Sequence, residues 1–479
     1  MNIIRVTCFA LGAFVLVASC SEEATKPDVY DWADGEIYFK TSLPDIATSR
    51  ANDMTLDRLE SFQVTCFNTG DVKKDNSGIV SPYFEDATFI RSVSPSAGTV
   101  YVSLPSEGPR SWPNDGGPLK FIAFSPSRAV MASGNKAVEN QPGVSFFNLI
   151  NNTTDITSLS DIRYGLGRVR VNQDISRQFD FITAETSGER WKDFTSGIEL
   201  AFHHQMAQVE LRAWGASGSY DFEIAGVRIG NPVVEGTFIF SGVATTANQW
   251  QAEENPVNDK VEYLYGNSTD TPDNGFSADR IYYINNAEHN SLENAASIMG
   301  LGGCAMVLPT VNSKWAGLAD SNISSIPYTT DKMYFSVLMR VADSATGEQL
   351  YPYIGNPYGM TVIPYAVDKS GKISARLYPG EKEGEYFSDA ALTRLYIAGE
   401  DITVKEYGWA AIPVDADWKA GKRYVYTLNY SEGIGVHDPE DPLPGTPIKG
   451  KATISWGVAV DEWDYAAKND DYNPDIVVP

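Results

Sequence analysis

The sequence predicts an all-β protein, two β-sandwich domains in tandem behind an export signal. Three observations carry this. Short stretches alternate apolar and polar side chains along most of the chain, the mark of half-buried strands. Clusters of Gly, Pro and Asn separate them at spacings typical of sandwiches. A polar, Gly-containing stretch from Glu185 to Gly197 divides them into two runs. The 479 residues are 43% hydrophobic and 12% aromatic, enough for large cores. The expected layout is a signal peptide over 1–19, a tether over 20–35, an N-terminal sandwich over 36–190 and a C-terminal sandwich over 191–466 with a long loop insertion near 243–300, then an acidic tail over 467–479.

At the N-terminus, Arg5 precedes an apolar run from Cys8 to Val17. That run is too short to span a bilayer and reads as the apolar part of a signal peptide. Small residues, Ala18 and Ser19, precede Cys20 as in a bacterial lipobox, where the thiol takes a diacylglycerol and the amine becomes the new N-terminus. More than one acyl chain makes such an anchor stable. After a polar spacer comes a short strand, with Ile37 and Phe39 on one side and Glu36, Tyr38 and Lys40 on the other. Then follows Ser49-Arg50-Ala51, a candidate protease site with Ala51 as the new N-terminus; Arg58 is a second candidate.

The first run of strands continues through 61–68, 82–84, 100–105, 119–126 and 177–184, the second from 198–211 through 220–229, 236–240, 305–309, 333–341, 407–413 and 422–430. The last strand, 451–460, sets Ile454, Trp456, Val458 and Val460 on one face. It serves either as the closing strand of its own sandwich or as a strand given to a neighbour.

The charge of −25, from 37 basic and 62 acidic residues, argues against nucleic acid and against anionic lipid as partners. Of four cysteines, Cys66 and Cys304 remain after Cys8 and Cys20 and read as buried thiols. No spacing of catalytic or phosphate-binding motifs occurs, and no cofactor or metal is expected. His203 and His204 are neighbours in a strand and point to opposite faces, so they do not share an ion. His289 and His437 stand apart in the sequence, Asp270 to Gly275 reads as a turn, and Asp438 to Asp441 as a solvated loop. Asp343-Ser344-Ala345 matches a short O-glycosylation motif.

Several stretches resemble the fimbrillin family, the Mfa-like type V pilins of Bacteroidales. They are Ile37 to Phe39 with Ser49-Arg50-Ala51, then His203 through Val209 after Ile198, Gly226 to Asn231 and Gly236 to Phe238. Val307-Leu308-Pro309 with Trp315, Ile412-Pro413, Trp418 to Leu428 and Val460 to Trp463 complete the set. The acids Glu22 and Glu23 look like the surface-export signal of lipoproteins from the same bacteria. The resemblance implies transthyretin-like Greek-key sandwiches, export as a lipoprotein, and an Arg-specific cut that removes the first strand. A neighbouring subunit then fills the groove by β-augmentation. The expected role is a stalk or tip subunit of a surface fimbria, without enzymatic activity. The implied partners are other fimbrial subunits, the outer membrane through Cys20 before cleavage, an Arg-specific protease, and a host or bacterial surface glycan or protein.

The alternative is a surface lipoprotein that binds glycans in a polysaccharide-uptake system, with Trp250, Tyr263, Tyr265, Tyr282 and Tyr283 as its aromatic surface. A glycoside hydrolase would need two facing carboxylates, and no pair stands out among the acids.

Overall fold

A computed structural model describes residues 35–43, 54–70, 82–94, 98–114, 116–126, 145–147, 164–178, 180–216, 218–240, 249–252, 259–266, 279–300, 303–319, 329–382, 384–449 and 454–462. Cys20, Arg50, Ala51 and the stretch Asp270 to Gly275, expected as a turn, lie outside the described residues. The chain is almost entirely β.

The N-terminal half builds one eight-stranded sheet. In spatial order its strands are His203–His204, Ile182–Gly188, Leu119–Ser125, Ser61–Asn68, Phe84–Ser94, Gly98–Ser103, Phe39–Ser42 and Ile198–Ala201. The two outermost members of that order are joined in sequence by Phe202 alone. The sheet therefore curls until its two margins meet, and its concave face wraps one apolar core. Phe39, Phe62, Val64, Cys66, Phe89, Phe121, Leu200 and Phe202 belong to that core. Closure of this kind removes free sheet edges.

The convex face is also covered. Along Leu119–Ser125 the side chains divide by parity: Leu119, Phe121 and Ala123 enter the first core, Ile122 and Phe124 a second, larger one. A four-stranded sheet contributes to that second core, ordered Gln249–Ala252, Glu235–Phe240, Tyr164–Arg170, Ser145–Phe147. Phe181 meets Phe238 edge-on at 5.3 Å and Trp250 at 5.7 Å.

The remaining strands form a five-stranded and a nine-stranded sheet around the same core, with two short pairs beside them, Thr310–Asn312 with Ala416–Trp418 and Tyr378–Pro379 with Tyr386–Phe387. Ala207–Trp214 and Lys422–Asn429 run parallel at the centre of the former. Tyr220–Gly230, Tyr334–Asp343, Ile402–Pro413 and Val362–Asp368 run antiparallel in the latter. Phe335 from one sheet packs edge-on against Tyr426 from the other at 4.8 Å.

Three expectations need revising. The stretch Glu185 to Gly197 is not a link between domains. Ile182–Gly188 is a strand paired along Leu119–Ser125, and a single-turn helix, Arg190–Asp193, returns the chain to the first sheet, which runs on to His204. Its polar residues misled because one is satisfied inside: Glu185 lies 3.2 Å from Lys120, and both side chains are buried. The region 243–300 is likewise more than loop, since Gln249–Ala252, Lys260–Leu264, Tyr282–Ile284 and Ala296–Ser297 extend three sheets. Nor is Asp438 to Asp441 solvated. Asp438 accepts a hydrogen bond from Ser336 and lies 3.6 Å from Arg228, whose guanidinium sits 4.1 Å over the Trp409 ring. Asp441 is buried beside His437, 3.7 Å away.

Candidate functional site: the groove of the first strand

The described side chains that line a site best are those around Phe39–Ser42. Alternating apolar residues make this stretch a strand, and its neighbours differ on the two sides. It runs parallel to Ile198–Ala201 over all four residues but meets Gly98–Ser103 antiparallel at a single pair, Phe39 with Tyr101. The Ile198 N–H donates to the Tyr38 carbonyl at 3.1 Å and the Phe202 N–H to the Ser42 carbonyl at 2.9 Å. Ahead of the strand, the Ile37 N–H donates to the Arg110 carbonyl at 2.7 Å. The first strand is thus the member that joins Gly98–Ser103 to Ile198–Ala201. Without it both present unpaired backbone.

Its side chains fill the first core. Phe39 is 0% exposed and Ile37 2%. The Phe39 ring stands edge-on to Phe89 at 4.7 Å, Phe121 at 5.2 Å and Phe62 at 5.9 Å. Such aromatic contacts add about 0.5–1.5 kcal/mol each beyond area burial. Leu43 is buried as well.

Tyr38 departs from the expected alternation. It faces away from the first core yet is 5% exposed, packed with Val100, Val102 and Ile90. Its hydroxyl donates to the Thr195 carbonyl at 2.6 Å. The ring lies on Gly197, where a Cβ would come within 2.5 Å of it and where φ is +76°. Burial raises the Tyr38 phenol above its ordinary range. Tyr38, Gly197 and Thr195 were not legible as site residues, because the pairing of residues 38 and 197 is a tertiary fact. The one available signal was a third bulky side chain between Ile37 and Phe39.

Just after the segment that carries Arg50 and Ala51, the Met54 N–H donates to Asp180 Oδ2 at 3.0 Å. The same oxygen is 2.6 Å from His204 Nδ1, and both side chains are fully buried. His203 faces outward. The two histidines therefore do point to opposite faces, and Asp180, paired with His204, holds the chain at Met54.

The last strand, Ser455–Glu462, pairs antiparallel with all of Lys422–Asn429 and forms a margin of its sheet. Ile454 is buried, Trp456 and Val458 pack part-buried on the second core, and Val460 is 54% exposed. Its apolar face therefore fades toward the C-terminal end.

Of the five aromatic residues of the sugar-binding reading, two are core and three pack part-buried against it. Tyr263 and Tyr265 are buried, and the Tyr265 hydroxyl donates to the Ile298 carbonyl at 2.6 Å. Trp250 donates to the Gln205 carbonyl at 2.6 Å, and Tyr282 to that of Ala213 at 2.6 Å. Tyr283 is part-buried against the second core. Cys66 and Cys304 are both buried, one in each core. Among the described residues no group of three His, Cys, Asp or Glu side chains is placed to hold a metal.

No curated protein matches the chain. Among solved structures it is similar to a fimbrial protein from Bacteroides vulgatus, at 10% identity and TM-score 0.45, covering 90% of this chain and 99% of that one. It is similar also to a candidate cell adhesion protein from Parabacteroides distasonis, at 12% identity and TM-score 0.37, with 90% and 100% covered. A third is a candidate cell adhesion protein from Bacteroides uniformis, at 10% identity and TM-score 0.33, with 90% and 100% covered. The family model described as fimbrillin-like matches residues 49–299, just over half of the 479. The chain belongs to the fimbrillin-like family, a family of structural proteins rather than of enzymes.

Proposed function

We propose that this chain is a structural or tip subunit of a type V surface fimbria, exported as a lipoprotein on Cys20, cut after Arg50 and joined to its neighbour by strand exchange. The observation that carries the reading is the placement of Phe39–Ser42 between two strands that do not otherwise pair, with Ile37, Phe39 and Leu43 in the core. At about 1.5–3 kcal/mol for each large apolar side chain, these three contribute about 5–9 kcal/mol. A whole domain is stable by only about 5–15 kcal/mol. An emptied groove is therefore a high-energy state, and a strand from another subunit, restoring the ladder and the plug together, removes that energy. Cleavage would also part the subunit from its lipid, so the strand that leaves is the one bound to the membrane.

We read two sandwich domains, the first built on the eight-stranded sheet that runs on to His204 and the second on the five- and nine-stranded sheets, while the sheet of Tyr164–Arg170 and Glu235–Phe240 draws on both parts of the chain. The last strand serves in this reading as the closing strand of its own sheet. The test is incubation of purified precursor with an Arg-specific protease. Trimming to Ala51 followed by ladders that resist unheated SDS supports assembly by exchange. A precursor that stays untrimmed while binding polysaccharide would instead favour the glycan-binding lipoprotein.

A further inference from the structure

We infer that the groove of the first strand is shaped for a strand with a bulky aromatic residue at its centre and an apolar residue on each side, and that this strand comes from a different protein, not from the C-terminal strands of a second copy of this chain. The inference rests on the strand-exchange reading and specifies the partner.

Three consecutive residues, Ile37, Tyr38 and Phe39, are 2%, 5% and 0% exposed. A strand of a half-exposed sheet ordinarily buries one face; this one is gripped on both. The inner face has the pocket ringed by Phe62, Phe89 and Phe121. The outer face has a floor at Gly197, walls at Val100 and Val102, and an acceptor, the Thr195 carbonyl, at the far end of the Tyr38 ring. Gly197 holds a positive φ that other residues adopt only under strain, so the floor is open because nothing larger fits there. A small residue at the centre of an incoming strand would leave this outer pocket empty.

The chain's own last strand has only small centres. Three windows put apolar residues at the Ile37 and Phe39 positions: Ile454-Ser455-Trp456, Trp456-Gly457-Val458 and Val458-Ala459-Val460. Their middle residues are Ser455, Gly457 and Ala459. Reversing the strand direction leaves each middle residue in place, so the mismatch does not depend on orientation. The apolar triplet near the C-terminus, Ile476-Val477-Val478, centres on Val477 and also lacks an aromatic ring.

The test uses the full chain with a specific protease site placed at residues 46–49, nicked there so that the first strand is held only by its contacts. Synthetic peptides compete with a fluorescent copy of residues 35–43. The unlabelled 35–43 peptide and its Tyr38→Phe variant should displace the label at similar concentrations. The Tyr38→Ser variant should need at least ~30-fold more, the equivalent of one buried ring. A peptide of residues 454–462 should need more still. Equal competition by Tyr38→Ser or by 454–462 would overturn the inference while leaving exchange intact. Failure of the 35–43 peptide itself to enter would remove both the inference and the exchange reading. A second readout uses the intact chain: Tyr38→Ser should lower the thermal midpoint and Lys40→Ser should not, and equal midpoints for the two contradict the pocket.

Discussion

Phe39 shows how much one side chain carries here. It is fully buried and touches three rings, so Phe39→Ala should cost about 3–5 kcal/mol, read by urea unfolding of the precursor. An unchanged midpoint would mean that the first strand is not part of the cooperative fold. Gly197 offers a controlled comparison. Gly197→Ala faces both a positive φ and the Tyr38 ring, whereas Gly355, at φ +71°, has nothing within 4 Å of its would-be Cβ. Backbone strain alone is about 1–2 kcal/mol at either position, so the excess at Gly197 measures the close packing under Tyr38. Asp441 gives a pH dependence. Burial pushes its carboxyl up, against the pull of neighbouring His437. A carboxyl whose folded pKa exceeds its unfolded value of about 3.9 holds its proton more tightly when folded, so stability falls as pH rises through that interval. Asp441→Asn removes the effect. Its thermal midpoint relative to the parent should therefore climb from pH 4 toward pH 7, and a parallel pair of pH curves would show that Asp441 does not titrate differently on folding.

At the scale of elements, the strands at the two ends of the described chain behave differently. The first lies inside a closed sheet, with paired neighbours on both sides. The last lies at a sheet margin among the described residues, its eight residues paired there with Lys422–Asn429. Along that strand, Trp456→Ala should cost about half of the 3–5 kcal/mol of a fully buried aromatic, since Trp456 is part-buried. Val460→Lys, at a side chain 54% exposed, should stay within about 0.5 kcal/mol of the parent. Chemical denaturation of both variants checks this, and an equal loss at the two positions would contradict the fading apolar face. Much at this scale was legible beforehand. The alternation that sets Ile37 and Phe39 on one side puts them in the core, and the alternation over 61–68 predicts the strand Ser61–Asn68 at the bounds it has. What failed failed for one reason. Glu185, Asp438 and Asp441 are polar residues whose partners, Lys120, Ser336 and His437, lie far off in sequence or around a turn, so local pattern gives them to solvent. Local alternation puts Tyr38 on the polar face, since the pocket that buries it is completed by the distant residue 197.

At the scale of the molecule, two cores share the strands of one sheet, the first closed by Phe39–Ser42 and the second continuous through the remaining sheets. Loss of the first strand should open the first core and leave the second standing. The anchoring of the Met54 N–H on buried Asp180, itself paired with His204, fixes the chain just beyond the segment that carries Arg50. That arrangement confines the opening to the groove. Amide hydrogen exchange on trimmed subunit reads this directly, because the Ile198 and Phe202 N–H groups donate to carbonyls of the first strand. After removal of residues through Arg50, those two amides should lose protection while the amides of Ala207–Trp214 keep theirs, and an added partner strand should restore them. Protection that is unchanged at Ile198 and Phe202, or lost throughout both cores, contradicts the claim that the first strand is a replaceable plug.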